Sequence, residues 1–178
     1  MTKFTVIDLF SGAGGLSIGF LDAGYNVVLG IDSNDSALRS FECNHGDTKA
    51  LKLDLFDINN VEYIVNEFSK QYQSLDVLIG GPPCQGFSLA GKREADDERN
   101  KLYKAMVRLA EIMKPRAVVL ENVPGMLSLY NGAGKKRIFM DFENLGYKMS
   151  VKVLYAPEYG VPQIRKRAFF VGILNAEA

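Results

Sequence analysis

At 178 residues and 47% hydrophobic content, the chain has the size of one globular domain with enough apolar material for a core. Its 21 basic and 21 acidic residues cancel, so no overall field recruits nucleic acid and any such role must rest on local chemistry. Two cysteines, Cys43 and Cys84, exclude a disulfide framework and point to a reducing cytoplasm, and no apolar run approaches the roughly 20 residues of a membrane span.

The first strand is expected near Phe4–Phe10 and ends in DLFSGAGG, Asp8–Gly15. Glycines 12, 14 and 15 let the backbone turn tightly and approach a ligand, and the helix near Gly15–Ala23 offers unpaired N–H groups; the same glycines would equally serve a plain strand-to-helix turn. A second strand, Asn26–Ile31, ends in GIDSND. Asp32, twenty positions after Gly12, stands where doubly wound folds place an acid on ribose hydroxyls. Its alternative is to cap the helix near Ser36–Cys43, a task open to Ser33, Asn34 and Asp35 as well. Cys43, on the apolar side of that helix, reads as a buried small hydrophobe. After a third strand, Ala50–Leu55, Asp54 or Asp57 can accept from an exocyclic amine or cap the helix near Val61–Gln71, and for Asp57 the cap is preferred.

The fourth strand, Asp76–Ile79, runs straight into GGPPCQGFS, residues 80–88. Pro82 and Pro83 fix φ and remove two donors, so Cys84 is presented on a stiff, irregular loop at the same carboxyl edge as the glycine turn. A free thiol of pKa about 8.5 is only a few per cent thiolate at pH 7, and nearby arginines would raise that fraction. The loop Gly91–Asn100, GKREADDERN, is charged and apolar-poor, hence solvated, and leads to a helix near Lys101–Met113 that Pro115 stops. The fifth strand, Ala117–Glu121, ends in ENVPG. Four apolar residues precede Glu121, so its carboxyl is expected to be desolvated with a raised pKa, or else to be a structural acid on neighbouring amides. A helix near Lys135–Leu145 follows, then strands near Lys148–Tyr155 and Ala168–Ile173. Between them QIRKR places Gln163, Arg165 and Arg167 on one side of an extended segment, as a fork for an oxygen-rich substrate or as a solvated basic edge. The order predicts an α/β fold: a doubly wound, mostly parallel sheet of about seven strands, helices on both faces, and an antiparallel edge pair near the C-terminus.

DLFSGAGG, GGPPCQGFS, RNKLY, ENVPG and QIRKR, in this order along essentially the whole chain, resemble the C5-cytosine DNA methyltransferases. The resemblance implies a Rossmann-like fold that binds S-adenosyl-L-methionine, leaves S-adenosyl-L-homocysteine, and acts on a cytosine flipped out of double-stranded DNA, with no metal and no membrane. It implies that Cys84 adds to C6 of the base, that Glu121 engages N3 and the exocyclic amine, and that Arg167, supported by Arg165 and Gln163, meets the carbonyl oxygen. Phe10, Ser11, Gly12, Gly14, Gly15, Asp32, Asp54, Leu55, Pro82 and Leu102 are then the cofactor side, although the ribose position is commonly Glu in that family. Pro83, Gln85, Ser88, Asn122 and Val123 fall on the substrate side, and residues 87–100 form a lid. Family members ordinarily continue into a target-recognition region and a returning helix. Residues 1–178 are therefore expected to be the catalytic and cofactor-binding domain, in a truncated form or as one subunit of a split enzyme, with an apolar patch open beside the cofactor loop. A tRNA cytosine methyltransferase of similar fold and a non-catalytic cofactor-binding module are the alternatives.

Overall fold

The computed structural model describes residues 3–83 and 102–175, with the side chains of residues 129 and 130 set aside. Among these, strands and helices alternate as β1 (Thr5–Leu9), α1 (Gly15–Asp22), β2 (Asn26–Asp32), α2 (Asp35–His45), β3 (Lys49–Lys52), α3 (Asn59–Ser69) and β4 (Val77–Gly80). Then follow α4 (Tyr103–Met113), β5 (Ala117–Asn122), α5 (Ala133–Glu143), β6 (Tyr147–Tyr155) and β7 (Lys166–Leu174). Short 3-10 turns at Pro124–Leu127, Leu129–Gly132 and Ala156–Tyr159 add to what the sequence predicts.

All seven strands join one sheet in the order β3-β2-β1-β4-β5-β7-β6. β1 to β5 are parallel, and β7 runs antiparallel to both β5 and β6. The strand order reverses between β1 and β4, so the loops after those two strands part at the carboxyl edge and leave a crevice. Because β7 runs backwards, its beginning lies at that same edge, with Asn122 opposite Ala168 and Glu121 opposite Phe169.

Alternation along the strands divides the core in two. On one face Val6, Val27, Val77 and Ile79 pack with Phe41 of α2 and with Leu16 and Phe20 of α1. On the other, Ile7, Leu9, Leu78, Leu120 and Phe170 meet Ile64 and Phe68 of α3, Met106 and Leu109 of α4, and Ile138 and Phe142 of α5. Each such side chain contributes about 1.5–3 kcal/mol on full burial. Local signals agree with the ends: the Asn34 side chain accepts from the Ala37 amide at 3.1 Å and so caps α2, and α4 stops at Lys114, which takes φ 45 immediately before Pro115.

Cys43 does not fit its expectation. The buried positions of α2 are Leu38, Phe41 and His45, spaced by three and four residues, and this spacing turns Cys43 to solvent. Further along the sheet, the face that α1 and α2 cover carries no helix among the described residues. Phe169 and Val171 of β7 are only half-buried there, and Ile173 is exposed.

Candidate active site

Two adjoining hollows open at the carboxyl edge and share Phe10 in their walls. The smaller, about 240 Å³, is lined by Phe10, Asp32, Asp54, Leu55, Pro83 and Leu102 together with Ser33, Leu53 and Phe56. The larger, about 650 Å³, has Asp8, Ser11 and Gly15 on one side and Glu121, Gln163, Arg165 and Arg167 on the other. Seven separate stretches of sequence thus meet in one crevice.

The glycine turn is built by its own strand ends. Phe10 leaves β1 at φ 59, a left-handed conformation that costs energy for a side chain with a Cβ and is held only by its surroundings. The Gly12 amide donates to Asp32 Oδ2 at 2.9 Å, and the Asn34 amide donates to Asp32 Oδ1 at 2.8 Å. Asp32 therefore ties the turn after β1 to the end of β2, while the helix cap belongs to Asn34. Gly14 takes φ 87, and a Cβ there would land on the ring of His45. Its small size serves helix packing as well as any ligand. Ser11 is buried, and its hydroxyl has no hydrogen-bond partner among the described residues. Asp54, exposed at the rim, accepts the Phe56 amide at 3.0 Å, and Asp57 accepts the Asn59 amide at 3.0 Å at the entry to α3, in line with a turn-capping role. Leu55 and Leu102 are buried behind the smaller hollow.

On the opposite side Arg167 Nε lies 2.8 Å from Glu121 Oε1 and Arg165 Nη2 lies 3.6 Å from it. The Glu121 carboxyl is 23% exposed and faces these two guanidinium groups. Gln163, Arg165 and Arg167 share one wall, as their alternation predicts, whereas Lys166 turns away and sits 5.3 Å from the centroid of the Tyr155 ring.

Asn122 is not at the surface of the crevice. It is buried, donates from Nδ2 to the Pro82 carbonyl at 3.0 Å, and accepts the Val123 amide at 2.9 Å, so it clamps the turn that leads into Cys84. Pro82 is buried under this clamp, and Pro83 faces the smaller hollow. Val123 is half-buried beside the clamp. Cys84, Gln85, Ser88 and the lid segment lie outside the described residues.

One residue of the site escaped sequence reasoning. Asp8 is 1% exposed, and burial pushes its carboxyl up to about 7, an effect partly offset by the Ser17 hydroxyl and reinforced by the Asp32 carboxylate. Only its position, an acid inside an otherwise apolar strand, signals it in the sequence. Among the described residues no group of three His, Cys, Asp or Glu side chains is placed to hold a metal ion.

Comparison with known proteins agrees with this arrangement. Type II methyltransferase M1.HphI of Haemophilus parahaemolyticus is 41% identical over 173 residues, covering 96% of this chain and 46% of that protein. Type II methyltransferase M.AquIA of Picosynechococcus sp. is 36% identical over 176 residues, covering 94% of this chain and 71% of that one. The crystal structure of a protein described as a DNA modification methyltransferase encoded within an E. coli prophage superposes with a TM-score of 0.82 at 33% identity, over 97% of this chain and 47% of that one. The chain thus spans about half the length of most of the curated relatives it matches. The family model for C-5 cytosine-specific DNA methylases matches residues 4–178, and with the glycine turn, Gly81 and Pro83 after β4, and the acid–arginine wall meeting in one crevice, the chain belongs to that family.

Proposed function

We propose that this chain is the catalytic and cofactor-binding part of an enzyme that methylates C5 of cytosine in double-stranded DNA. The observation that carries the reading is the shared crevice: a hollow lined by Asp32, Asp54 and Leu55 joins, at Phe10, a hollow walled by Glu121, Arg165 and Arg167. The first suits a nucleoside, with hydroxyl partners at Asp32 and an amine partner at Asp54. The cofactor of this reading is S-adenosyl-L-methionine, which when bound supplies an electrophilic methyl group to C5 of the base. The chain's own residues do the rest. Pro82, clamped by Asn122, aims the loop from which the Cys84 thiolate adds to C6, so that electron density reaches C5, a poor nucleophile on its own. Glu121 engages N3 and the exocyclic amine, and Arg167 binds the carbonyl oxygen with Arg165 and Gln163 behind it. Loss of the C5 proton and departure of the thiolate then restore the aromatic ring. Flipping the base costs a few kcal/mol of unstacking, offset by its enclosure.

Groove recognition and the cover for the bare sheet face are assigned in this reading to further polypeptide, in the same or a second chain; the half-length match to most relatives and the exposed Ile173 support this. With that polypeptide present, 5-fluorocytosine DNA and cofactor should trap the protein as a denaturant-resistant adduct, seen as a shifted band on gel electrophoresis. Cys84→Ser should abolish the band, and Glu121→Gln should slow its formation by about 10²–10⁴-fold. A band that persists in Cys84→Ser overturns the assignment.

A further inference from the structure

The zero net charge of the chain conceals a division. Residues 1–121 hold 13 basic and 17 acidic side chains, whereas residues 122–178 hold 8 and 4. The sheet turns this division of sequence into one of space. β3, β2, β1 and β4 occupy one end of it, and β7 and β6, which α5 leads into, occupy the other, with β5 between them. At the carboxyl edge the contrast runs across the crevice. Asp32, Asp35, Asp54 and Asp57 follow β2 and β3, and among the described residues only Asp35 has cations paired to it, Arg39 and Lys52. At the opposite end α5 starts from the turns that follow β5, so Lys135 and Lys136 of its first turn stand at this same edge, where Arg165, Lys166 and Arg167 enter β7.

Alternation sorts these cations by side. Arg165 and Arg167 face the larger hollow, whereas Lys166 falls on the face of Ala168 and Phe170, which is the side that α5 covers. α5 touches the 3-10 turn Pro124–Leu127, and that turn touches β7, so the three lysines share one end and one side of the sheet. The two ends also differ in pairing. Lys49 and Lys70 at the β3 end share Glu67, but Lys135, Lys136 and Lys166 make no ion pair among the described residues. The carboxylates nearest along the chain are Glu121, which faces the two arginines, Glu158, exposed on the turn after β6, and Asp141, a turn further down α5 and 3.7 Å from Arg137. Aromatic rings hold two of the lysines instead: Lys135 Nζ lies 5.4 Å from the centroid of Phe139, and Lys166 Nζ 5.3 Å from that of Tyr155. A ring face stations an ammonium without cancelling its charge. Gathering such charges costs mutual repulsion, which an anionic partner offsets.

We propose that the first turn of α5 and the entry to β7, through Lys135, Lys136 and Lys166, form a seat for the phosphate backbone of a nucleic-acid duplex. The backbone lies on the α5 side of β7, while the arginines on the other side of the same strand reach into the larger hollow. Asp54 and Asp57 repel it from the rim of the smaller hollow, so the two ends of the edge fix which way the duplex lies and leave the nucleoside site open. Naming the duplex as DNA with its cytosine in the larger hollow rests on the proposed function, whereas the phosphate seat does not.

The test follows the anisotropy of a fluorescein-labelled DNA duplex titrated with the chain over a range of salt concentrations. The logarithm of the association constant should fall linearly with the logarithm of salt, and each phosphate contact removed should flatten that slope by about 0.9. The triple variant Lys135→Gln, Lys136→Gln, Lys166→Gln should flatten it by about 2–3 and weaken binding at low salt by about tenfold or more. Lys49→Gln, Lys52→Gln, Lys70→Gln removes the same charge at the β3 end and should leave the slope as it was. An unchanged slope in the first variant, an equal change in both, or no salt-dependent binding by the unaltered chain overturns the seat. The proposed function is decided separately, by the 5-fluorocytosine adduct. No adduct with the slopes as expected removes the reaction and keeps the seat, and an adduct with unchanged slopes does the reverse.

Discussion

Gly14 answers two demands at once, a left-handed φ of 87 and the nesting of the His45 ring where a Cβ would stand. Gly14→Ala should therefore cost about 1–3 kcal/mol, read as a lowered midpoint in urea denaturation, because backbone strain and overpacking coincide. Asn122 makes the complementary case for a polar side chain. Asn122→Ala leaves the Pro82 carbonyl without its buried donor, with an expected loss of about 1–3 kcal/mol. The same variant should slow adduct formation more than it weakens S-adenosylhomocysteine binding, because the clamp holds the backbone that leads directly into Cys84, whereas Pro83 is one of nine residues lining the nucleoside hollow. The sequence made Asp32, Asp54 and the three residues of the QIRKR fork legible, since each stands at a strand end or in strict alternation. Asp8 and Asn122 were less so. A single letter shows residue type and spacing, but whether a carboxyl lies beneath a helix, or an amide turns inward to a neighbouring loop, depends on contacts between elements distant in the chain.

At the scale of elements, the expected strands and helices lie within a few residues of those found, because Val, Ile and Leu runs bounded by Gly, Pro and Asp mark strands covered on both faces. The third strand shows why ends are harder to place. Expected over Ala50–Leu55, β3 stops at Lys52, where the Leu53 amide donates to the Asp32 carbonyl and Asp54 then bends the chain. The 3-10 turns carry too few residues to show a period. One junction of helices has a measurable share in stability. The Tyr103 hydroxyl donates to Asp141 Oδ2 at 2.6 Å and Lys104 Nζ lies 2.7 Å from the same oxygen, which pins the start of α4 to α5. Burial, helped by the neighbouring Asp141 carboxylate, pushes the Tyr103 hydroxyl well above the usual tyrosine range, so it stays a donor at any pH of interest. Asp141→Ala should lower the thermal midpoint by several degrees, corresponding to about 1–3 kcal/mol for a buried hydroxyl left unpaired.

For the molecule as a whole, balanced charge and a bare sheet face set the behaviour in solution. The Asp8 carboxyl, raised to about 7 in the folded protein against an ordinary value of 3.8, binds its proton more tightly folded than unfolded. Folding stability should therefore fall as pH rises from about 4 to 7 on account of this group and level off above, and Asp8→Asn should flatten that part of the profile in urea denaturation at fixed ionic strength. The half-buried Phe169 and Val171 and the exposed Ile173 should bind a hydrophobic dye such as ANS, and fluorescence should drop when the complementary polypeptide is added. A single ladder joins all seven strands, and it also sets the distance between the acid and its arginines, since Glu121 and Arg167 stand on adjacent paired strands rather than on loops. A one-residue slip of β7 along β5 would put Lys166 or Ala168 where Arg167 stands and would also turn Ala168 and Phe170 out of the core. Length changes in this part of the chain should therefore weaken folding and base binding together, whereas Arg167→Lys, which keeps the register, should weaken base binding alone, and the difference between the two measures how strictly the sheet sets the reaction's dimensions.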